Sequence, residues 1–179
     1  MYTSLKRTRG FSLLEVLVAL LIFGLGLLGL AGLLVVSVKT NHSSYLRTQA
    51  SFLAEGMADR IKANRMALWN DRYNGDYSAA TAAAPTKTCL GAEACSEAEI
   101  ALRDRAQWSA QLVGFLPNAT ANIRCALNPG VAIPASARHS NPPYDGLCSV
   151  WVRWSEKSLN TDTGAASVQD QTFAWVFEP

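Results

Sequence analysis

Apolar and polar residues divide the chain into an apolar segment near the N-terminus and a longer segment of mixed composition. Between Val16 and Val38 there is no charged residue, and Ser37 is the one polar side chain. The run is longer than the roughly 20 residues that a helix needs to cross the apolar core of a bilayer. The pattern predicts a membrane-spanning helix followed by one soluble domain that starts near Lys39.

The apolar run continues without a helix breaker into an amphipathic segment. The first proline of the chain is Pro85. Beyond the run, apolar residues recur at the three-, four- and seven-residue steps of one helix face, at Leu46, Ala50, Leu53, Met57, Ile61 and Leu68. We expect one continuous helix from about Ser12 to about Ala67, with an apolar half that protrudes and an amphipathic half that packs on a globular body.

The rest of the chain predicts a second, shorter helix and a small sheet. Ser96 and Glu99 have the spacing of a helix-capping box, and the helix that they open is expected to stop at Pro117. Alternating apolar and polar residues predict three strands, at residues 120–127, 147–154 and 172–178. The turn-forming residues between these elements predict loops, at residues 70–95, 128–146 and 156–170. The expected fold is therefore α+β, with three antiparallel strands packed on the long helix.

The charge distribution argues against a nucleic-acid-binding protein. Three of the 16 Lys and Arg residues, Lys6, Arg7 and Arg9, lie before the apolar run, and from Lys39 onward cations and acids are equal in number. No basic stripe interleaved with aromatic residues is present in the soluble part, so no direct nucleic-acid binding is predicted. Cations that flank a membrane span stay in the cytoplasm, which places the residues after the span across the membrane.

Four cysteines lie in the translocated part, at Cys89, Cys95, Cys125 and Cys148. An even number of cysteines in an oxidising compartment indicates two disulfides. Of the three pairings, we favour Cys89–Cys95 as a local loop and Cys125–Cys148 across two strands. A zinc site is the alternative, but there is no Cys-x-x-Cys spacing and the two histidines, His42 and His139, are isolated in sequence. We therefore expect no metal and no cofactor.

Glycines in the apolar run match the spacing of a dinucleotide-binding motif, but the surrounding sequence does not. Gly24, Gly26 and Gly29 have the G-x-G-x-x-G spacing, but that motif requires a preceding strand and a following acidic residue. Together with Gly32, these glycines are instead expected to soften the helix and to let neighbouring helices approach closely. We found no arrangement of residues typical of an active site, and we expect no enzymatic activity.

The segment KRTRGFSLLEV, residues 6–16, carries the most specific signal in the chain. An acid within an apolar span is costly and is a functional candidate by default. Basic residues, a glycine, a phenylalanine and a glutamate fifth after the glycine resemble the class III leader of type IV pilins. The resemblance implies cleavage between Gly10 and Phe11 by a prepilin peptidase, N-methylation of Phe11, and retention of the apolar run. It also implies that Glu15 neutralises the new N-terminal ammonium of a neighbouring subunit, because an isolated charge among packed apolar helices is unfavourable.

A second segment narrows the resemblance within the pilins. The pattern L-A-x-x-M-A-D-R-x-x-A-N begins at Leu53 and ends at Asn64, and it resembles the PilV family of minor pilins, which are type IV pilus modification proteins. This resemblance implies a lollipop-shaped structural subunit of the assembly-initiating tip complex of a fimbrium that serves cell adhesion and twitching motility. Its implied partners are other minor pilins, the major pilin, the prepilin peptidase/N-methyltransferase and the inner-membrane assembly platform.

The resemblance also implies an organisation of the chain in three parts. These are a leader peptide at residues 1–10, a transmembrane and filament-core helix at 11–38, and a periplasmic globular head at 39–179. The N-terminus would lie in the cytoplasm and the head in the periplasm until assembly into a pilus. Two alternatives remain: a type II secretion pseudopilin, which shares the leader, and a membrane-anchored periplasmic enzyme or binding module, which would keep its N-terminus uncut.

Overall fold

The computed structural model describes residues 10–84, 87–89, 94–132, 134–138, 142–159 and 166–179. Residues 1–9 of the predicted leader and His139 lie outside this part of the chain. The chain divides into two compact units, Met1–His42 and Ser43–Pro179. The expectation of an α+β pilin-like fold, with a long apolar N-terminal helix and a small antiparallel sheet, is confirmed.

Helix α1, Leu13–Ala63, begins in the first unit and ends in the second. The prediction of one helix as far as Ala67 is wrong at its C-terminal end, because α2, Arg65–Trp69, is a separate short helix. Asn64 lies between the two helices with a non-helical φ of −118° and ψ of 63°. Its side-chain amide donates a hydrogen bond to the carbonyl of Glu97, at 2.8 Å. The helix is thus interrupted at the residue that contacts Glu97, 33 positions further along the chain.

The C-terminal half of α1 has one buried face, and the spacing of apolar residues predicted it correctly. The buried residues of this face are Leu46, Ala50, Leu53, Ala54, Met57, Ala58 and Ile61. Across from it lies α4, Glu97–Phe115, whose Trp108 donates its indole N–H to the carbonyl of Leu53 at 2.7 Å. This face is therefore fixed by both apolar contact and a buried hydrogen bond.

Helix α4 starts at the predicted capping box. The Ser96 hydroxyl accepts from the backbone N–H of Glu99, and the Glu99 carboxylate accepts from the backbone N–H of Ser96 at 2.8 Å. The Glu99 carboxylate accepts hydrogen bonds from the Ser96 backbone N–H and hydroxyl, and these hold the pKa of Glu99 below its usual value, with the backbone N–H as the largest cause. Trp108 and Leu112 are buried, whereas Ile100 and Leu102 near the start of the helix are exposed.

Four strands form one antiparallel sheet in the order β1-β2-β3-β4. Their bounds are Gly75–Tyr77, Thr120–Leu127, Gly146–Leu159 and Ala166–Phe177. The three predicted strands correspond to β2, β3 and β4. The predicted loops contain three further elements: β1, the short helix α3, Ala79–Ala82, and the short helix α5, Ala135–Arg138.

Strands β3 and β4 extend well into the segment that was predicted as a polar loop. The register continues through polar cross-strand pairs such as Ser155 and Asp170, whose side chains are hydrogen-bonded at 2.9 Å. Such pairs stabilise a ladder without burying apolar residues. The loop prediction failed because it equated a polar sequence with the absence of a strand.

Strand β1 is held at the edge of the sheet by the Asn74 side chain, which makes two hydrogen bonds to the backbone of β2, as a paired strand residue would. The Asn74 amide donates to the carbonyl of Cys125 at 3.1 Å, and its oxygen accepts from the Cys125 N–H at 2.7 Å. Gly75 follows with a φ of +150°, a conformation that side chains rarely adopt. These two residues place β1 alongside β2.

Candidate assembly site at the N-terminal segment

The predicted cleavage junction lies immediately before α1. Gly10 and Phe11 are non-helical, and the Phe11 side chain is 83% exposed. The Ser12 hydroxyl accepts a hydrogen bond from the Glu15 N–H at 3.2 Å, as the residue that caps a helix does. The Gly10–Phe11 peptide bond therefore lies outside the hydrogen-bonded turns of the helix, where an enzyme could reach it.

Glu15 is the third residue of α1 and lies in its first turn. Ser12 and Glu15 have the spacing of a capping box, as Ser96 and Glu99 do, and the sequence interpretation above overlooked this signal. A carboxylate at this position interacts favourably with the positive end of the helix dipole. Among the residues that the structure describes, no cation lies within ion-pair distance of the Glu15 carboxylate. The backbone N–H of Glu15 is therefore capped by Ser12, whereas its carboxylate has no ion-pair partner within the described part of one chain.

The apolar residues that follow are exposed. The most apolar 18-residue window of α1 has a mean hydropathy of 2.7, and none of it is buried. By length and composition, this helix could cross a membrane. A Cβ atom added at Gly24, Gly26, Gly29 or Gly32 would meet nothing within 4 Å. Nothing in the described part of the single chain requires these glycines to be small, so their close approach to neighbouring helices stays a prediction.

The cysteines are paired in two disulfides, Cys89–Cys95 and Cys125–Cys148. In the second pair the two residues are directly opposite in the β2–β3 register, with Cα atoms 4.0 Å apart. Within the described ranges, no group of three or more His, Cys, Asp or Glu residues could hold a metal ion. His42 is exposed at the end of the first unit.

The segment that gave the narrower pilin resemblance forms the seam between α1 and α4. Arg60 makes an ion pair with Asp104 at 3.0 Å, and Asn64 contacts the start of α4 as described above. The Tyr73 hydroxyl donates to the other oxygen of Asp104 at 2.8 Å. Burial, reinforced by Asp104, raises the pKa of Tyr73 well above its usual range. Sequence reasoning identified Arg60 and Asn64 only as parts of a motif and missed Asp104 and Tyr73, since no sequence spacing links residues at the end of α1, in α4 and in the turn before β1.

The fold and the N-terminal segment together define a protein with one apolar N-terminal helix of membrane-spanning length and an α+β domain. Residues 5–31 match the family model for the prokaryotic N-terminal methylation motif, and residues 32–106 match the model for type IV pilin Tt1218. The chain is a type IV pilin-like protein with a class III leader. Comparison with curated proteins and with solved structures gave no match.

The two family matches carry consequences for processing and location. A class III leader on a pilin implies cleavage by a prepilin peptidase and assembly into pili. The apolar N-terminal helix and the leader fit anchoring in the inner membrane before assembly. The pilin family is structural and not enzymatic. The second match ends within α4 and so includes the α1–α4 seam.

Proposed function

We propose that this protein is a minor pilin of a type IV pilus. The peptidase would cut between Gly10 and Phe11, methylate the new N-terminus at Phe11, and release a subunit for the assembly-initiating complex at the pilus tip. Its partners there would be other minor pilins and the major pilin. The observation that carries this proposal is the carboxylate of Glu15 in the first turn of an exposed apolar helix that follows a leader motif.

Cleavage gives Glu15 an electrostatic role between subunits. The cut leaves a positive ammonium group on Phe11, four residues before Glu15, at the start of an apolar helix. Two helices offset axially by about 6 Å would bring the ammonium of one subunit beside the carboxylate of the next. Opposite charges about 4 Å apart attract by about 4 kcal/mol at an effective dielectric of 20. Glu15 would thereby set the register of subunits in the filament core.

The head would contribute contacts and no catalysis. We propose that residues 11–38 form the membrane and filament-core helix and that residues 39–179 form the periplasmic head. The seam built by Arg60, Asn64 and Asp104 supports a PilV-like minor pilin, because the residues of the narrower resemblance are those that join α1 to α4. The glycines of the apolar run would give the helix flexibility in place of the proline that major pilins commonly carry.

Mass spectrometry of the N-terminus in sheared surface filaments tests the proposal. The expected result is a peptide that begins with N-methylated Phe11 in the filament fraction. An intact Met1 form that is confined to the membrane would contradict the proposal and favour a membrane-anchored binding module.

A type II secretion pseudopilin is the second candidate, because the leader match is common to both classes. Deletion of the gene for this chain distinguishes them. If the chain is a minor pilin, the deletion is expected to reduce the number of surface pili and to leave protein secretion intact. Loss of secretion with normal pili would identify a pseudopilin.

A further inference from the structure

An open cavity beside the first turns of α4 contains two guanidinium groups. It has a volume of about 290 Å³ and lies between α4 and the turn that follows α2. Arg72 and Arg105 line the cavity, together with Glu99 and the apolar residues Ala98, Ala101 and Leu102. A cleft that is lined by charge of one sign attracts a group of the opposite charge. The balance of charge in this cavity therefore depends on how Glu99 is engaged.

Neither guanidinium is neutralised by a neighbouring acid. Glu99 is held in its capping box, and its carboxylate lies 3.7 Å from the ammonium of Lys87. Asp71, next to Arg72 in sequence, accepts a hydrogen bond from the side chain of Asn74 at 3.2 Å. Among the residues placed by the structure, no carboxylate lies within 4 Å of the guanidinium of Arg72 or Arg105. The cavity therefore has an excess of positive charge.

Arg105 is held in place and has a buried donor without an acceptor. Its Nη1 donates to the carbonyl of Arg72 at 3.3 Å, and its Cζ lies 5.3 Å from the ring centroid of Tyr77. The Nε–H of Arg105 is buried and has no acceptor within the described ranges. A buried donor without a partner is rare in proteins and indicates a missing water, ion or ligand. A carboxylate fits this site, because a guanidinium binds a carboxylate through two N–H groups at once.

Helix α1 carries two exposed acids that have no ion-pair partner. Glu55 and Asp59 are exposed and lie four positions apart, so their side chains are neighbours on the helix surface. The adjacent cations are engaged elsewhere, since Arg60 is paired with Asp104 and Lys62 lies over an aromatic ring. In the described part of the chain, no cation lies within 4 Å of either acid. The chain thus contains an anionic pair that complements its cationic cavity.

The two acids and the cavity lie toward opposite edges of the head. Within the head, α1 runs beside β4, since Arg47 donates to the side chain of Gln171 at 3.2 Å. The cavity lies beside β1, since a Cβ added at Gly75 would be 3.2 Å from Nη2 of Arg105. β4 and β1 are the two edges of the sheet. Two heads that stand side by side in the same orientation can therefore bring the cavity of one next to α1 of the other.

We propose that the cavity formed by Arg72 and Arg105 binds a carboxylate on α1 of a second copy of this chain, at Glu55 or Asp59. The two copies stand side by side with their α1 helices pointing the same way, as subunits held in one membrane do. The contact joins two different surfaces and is therefore heterologous. It leaves a free cavity on one copy and free acids on the other, so that a further copy can be added on either side.

The acids and the cavity lie at the same level along α1. The ion pair between Arg60 and Asp104 joins the neighbours in sequence of Asp59 and Arg105. Two copies at equal height therefore place the cavity of one opposite Asp59 of the other. Glu55 lies about 6 Å nearer the start of α1, so it takes the place of Asp59 when the second copy is raised by that distance. The charges of the head alone support this contact, whether or not the chain enters a pilus.

Charge reversal in the full chain tests the contact. Energy transfer between donor- and acceptor-labelled copies in detergent micelles measures their association. Arg72→Glu is expected to weaken it about fivefold or more, because an attraction is replaced by a repulsion. Arg124→Glu is the matched control, since Arg124 is exposed on β2 and the change in net charge is the same. The control is expected to leave association unchanged. Equal weakening in the two variants, or no association of the wild-type chain, would overturn the proposal.

Two further measurements separate this contact from association of the apolar helices. Arg72 is exposed, and circular dichroism is expected to show that Arg72→Glu folds as the wild type does. Raising the ionic strength from about 0.1 M to about 1 M shortens the screening length from about 10 Å to about 3 Å. The wild-type chain should then associate as weakly as Arg72→Glu. Association of the wild-type chain that does not respond to salt would refute a contact between charges.

A mixture of two variants tests which groups meet. The double variant Glu55→Lys/Asp59→Lys reverses the acids and should by itself associate about fivefold or more weakly than the wild type. Mixed with Arg72→Glu, it should regain about fivefold in association, because the reversed cavity then meets reversed acids. A mixture that associates no better than either variant alone would refute the pairing of the cavity with α1. Association that is found only with a different co-purified pilin subunit would refute a second copy as the partner.

Discussion

Trp108 of α4 donates its indole N–H to the main-chain carbonyl of Leu53 across 2.7 Å in the buried interior of the head. The two residues are 55 positions apart in the chain. Trp108 also meets Tyr77 edge to face, with ring centroids 5.1 Å apart. The Trp108 side chain therefore connects α4, to which it belongs, with the long helix α1 and the short edge strand β1.

Trp108→Phe is expected to lower the free energy of unfolding of the head by about 1–3 kcal/mol, because it removes a buried hydrogen bond and leaves a gap. Denaturant titration of the full chain in micelles, followed by far-UV circular dichroism, measures this change. The control is Trp151→Phe, because Trp151 is 52% exposed on the outer face of the sheet. The control is expected to change stability by less than about 0.5 kcal/mol. Equal losses in the two variants would contradict the role of the Trp108 bond.

Stability is expected to fall at alkaline pH because of two buried tyrosines. Burial raises the pKa of both Tyr73 and Tyr77 in the folded state, with Asp104 adding to the shift at Tyr73. An unfolded tyrosine loses its proton near pH 10, so the folded state binds more protons above that value. The stability that comes from the neutral phenols is therefore present below about pH 10 and is lost as pH rises toward the folded-state pKa.

Denaturant titrations at a series of pH values check this expectation. Tyr73→Phe should be less stable than the wild type at neutral pH, because the hydrogen bond to Asp104 is lost. It should also lose stability less steeply above about pH 10. Tyr45→Phe is the control, since Tyr45 is exposed, and it should keep the wild-type slope. An unchanged slope in Tyr73→Phe would show that Tyr73 does not cause the alkaline loss.

Gly146→Ala is expected to destabilise the head by about 1–3 kcal/mol through overpacking. A Cβ at Gly146 would clash with the backbone of Ala126 and Leu127 and with the ring of Tyr144. Backbone atoms in a paired strand cannot move aside as the end of a flexible side chain can. Thermal unfolding of the full chain in micelles measures the effect.

The matched control for that substitution is Gly114→Ala. Gly114 lies in α4, and a Cβ there would meet nothing within 4 Å. Because alanine is the better helix former, this variant should gain up to about 1 kcal/mol. A neutral result at Gly146 would show that β2 and β3 can separate enough to admit a methyl group.

Two substitutions separate the capping of α1 by Ser12 from the proposed charge role of Glu15. Glu15→Gln keeps a residue suited to a capping box and removes the charge. Ser12→Ala removes the hydroxyl that caps α1 and keeps the charge. We expect both variants to insert into the membrane. Immunoblots of sheared filaments should show poor incorporation of Glu15→Gln and near-normal incorporation of Ser12→Ala. The reverse order would show that incorporation depends on the Ser12 cap and not on the charge of Glu15.

Local patterns in the sequence predicted much of the architecture. The apolar run, the buried face of α1 that includes Leu53, the capping box at Ser96 and the cores of three strands depend on residues close in sequence. The N-terminal segment with Glu15 was equally visible, because a charge within an apolar run is a local anomaly. The sequence also contained the capping-box spacing of Ser12 and Glu15, of which the structure shows the hydrogen bond to the Ser12 hydroxyl.

Only the tertiary structure decided where these elements end and which edge of the sheet is left open. Asn64 interrupts the helix where it meets Glu97, 33 residues away, and Asn74 adds β1 to the sheet through Cys125, 51 residues away. Periodicity reports the face that a residue presents, but hydrogen-bond partners brought together by folding decide where a helix breaks or a strand continues. For the same reason the sequence determined the N-terminal segment that carries Glu15, whereas the outer edge of β4 emerged only from the pairing of the strands.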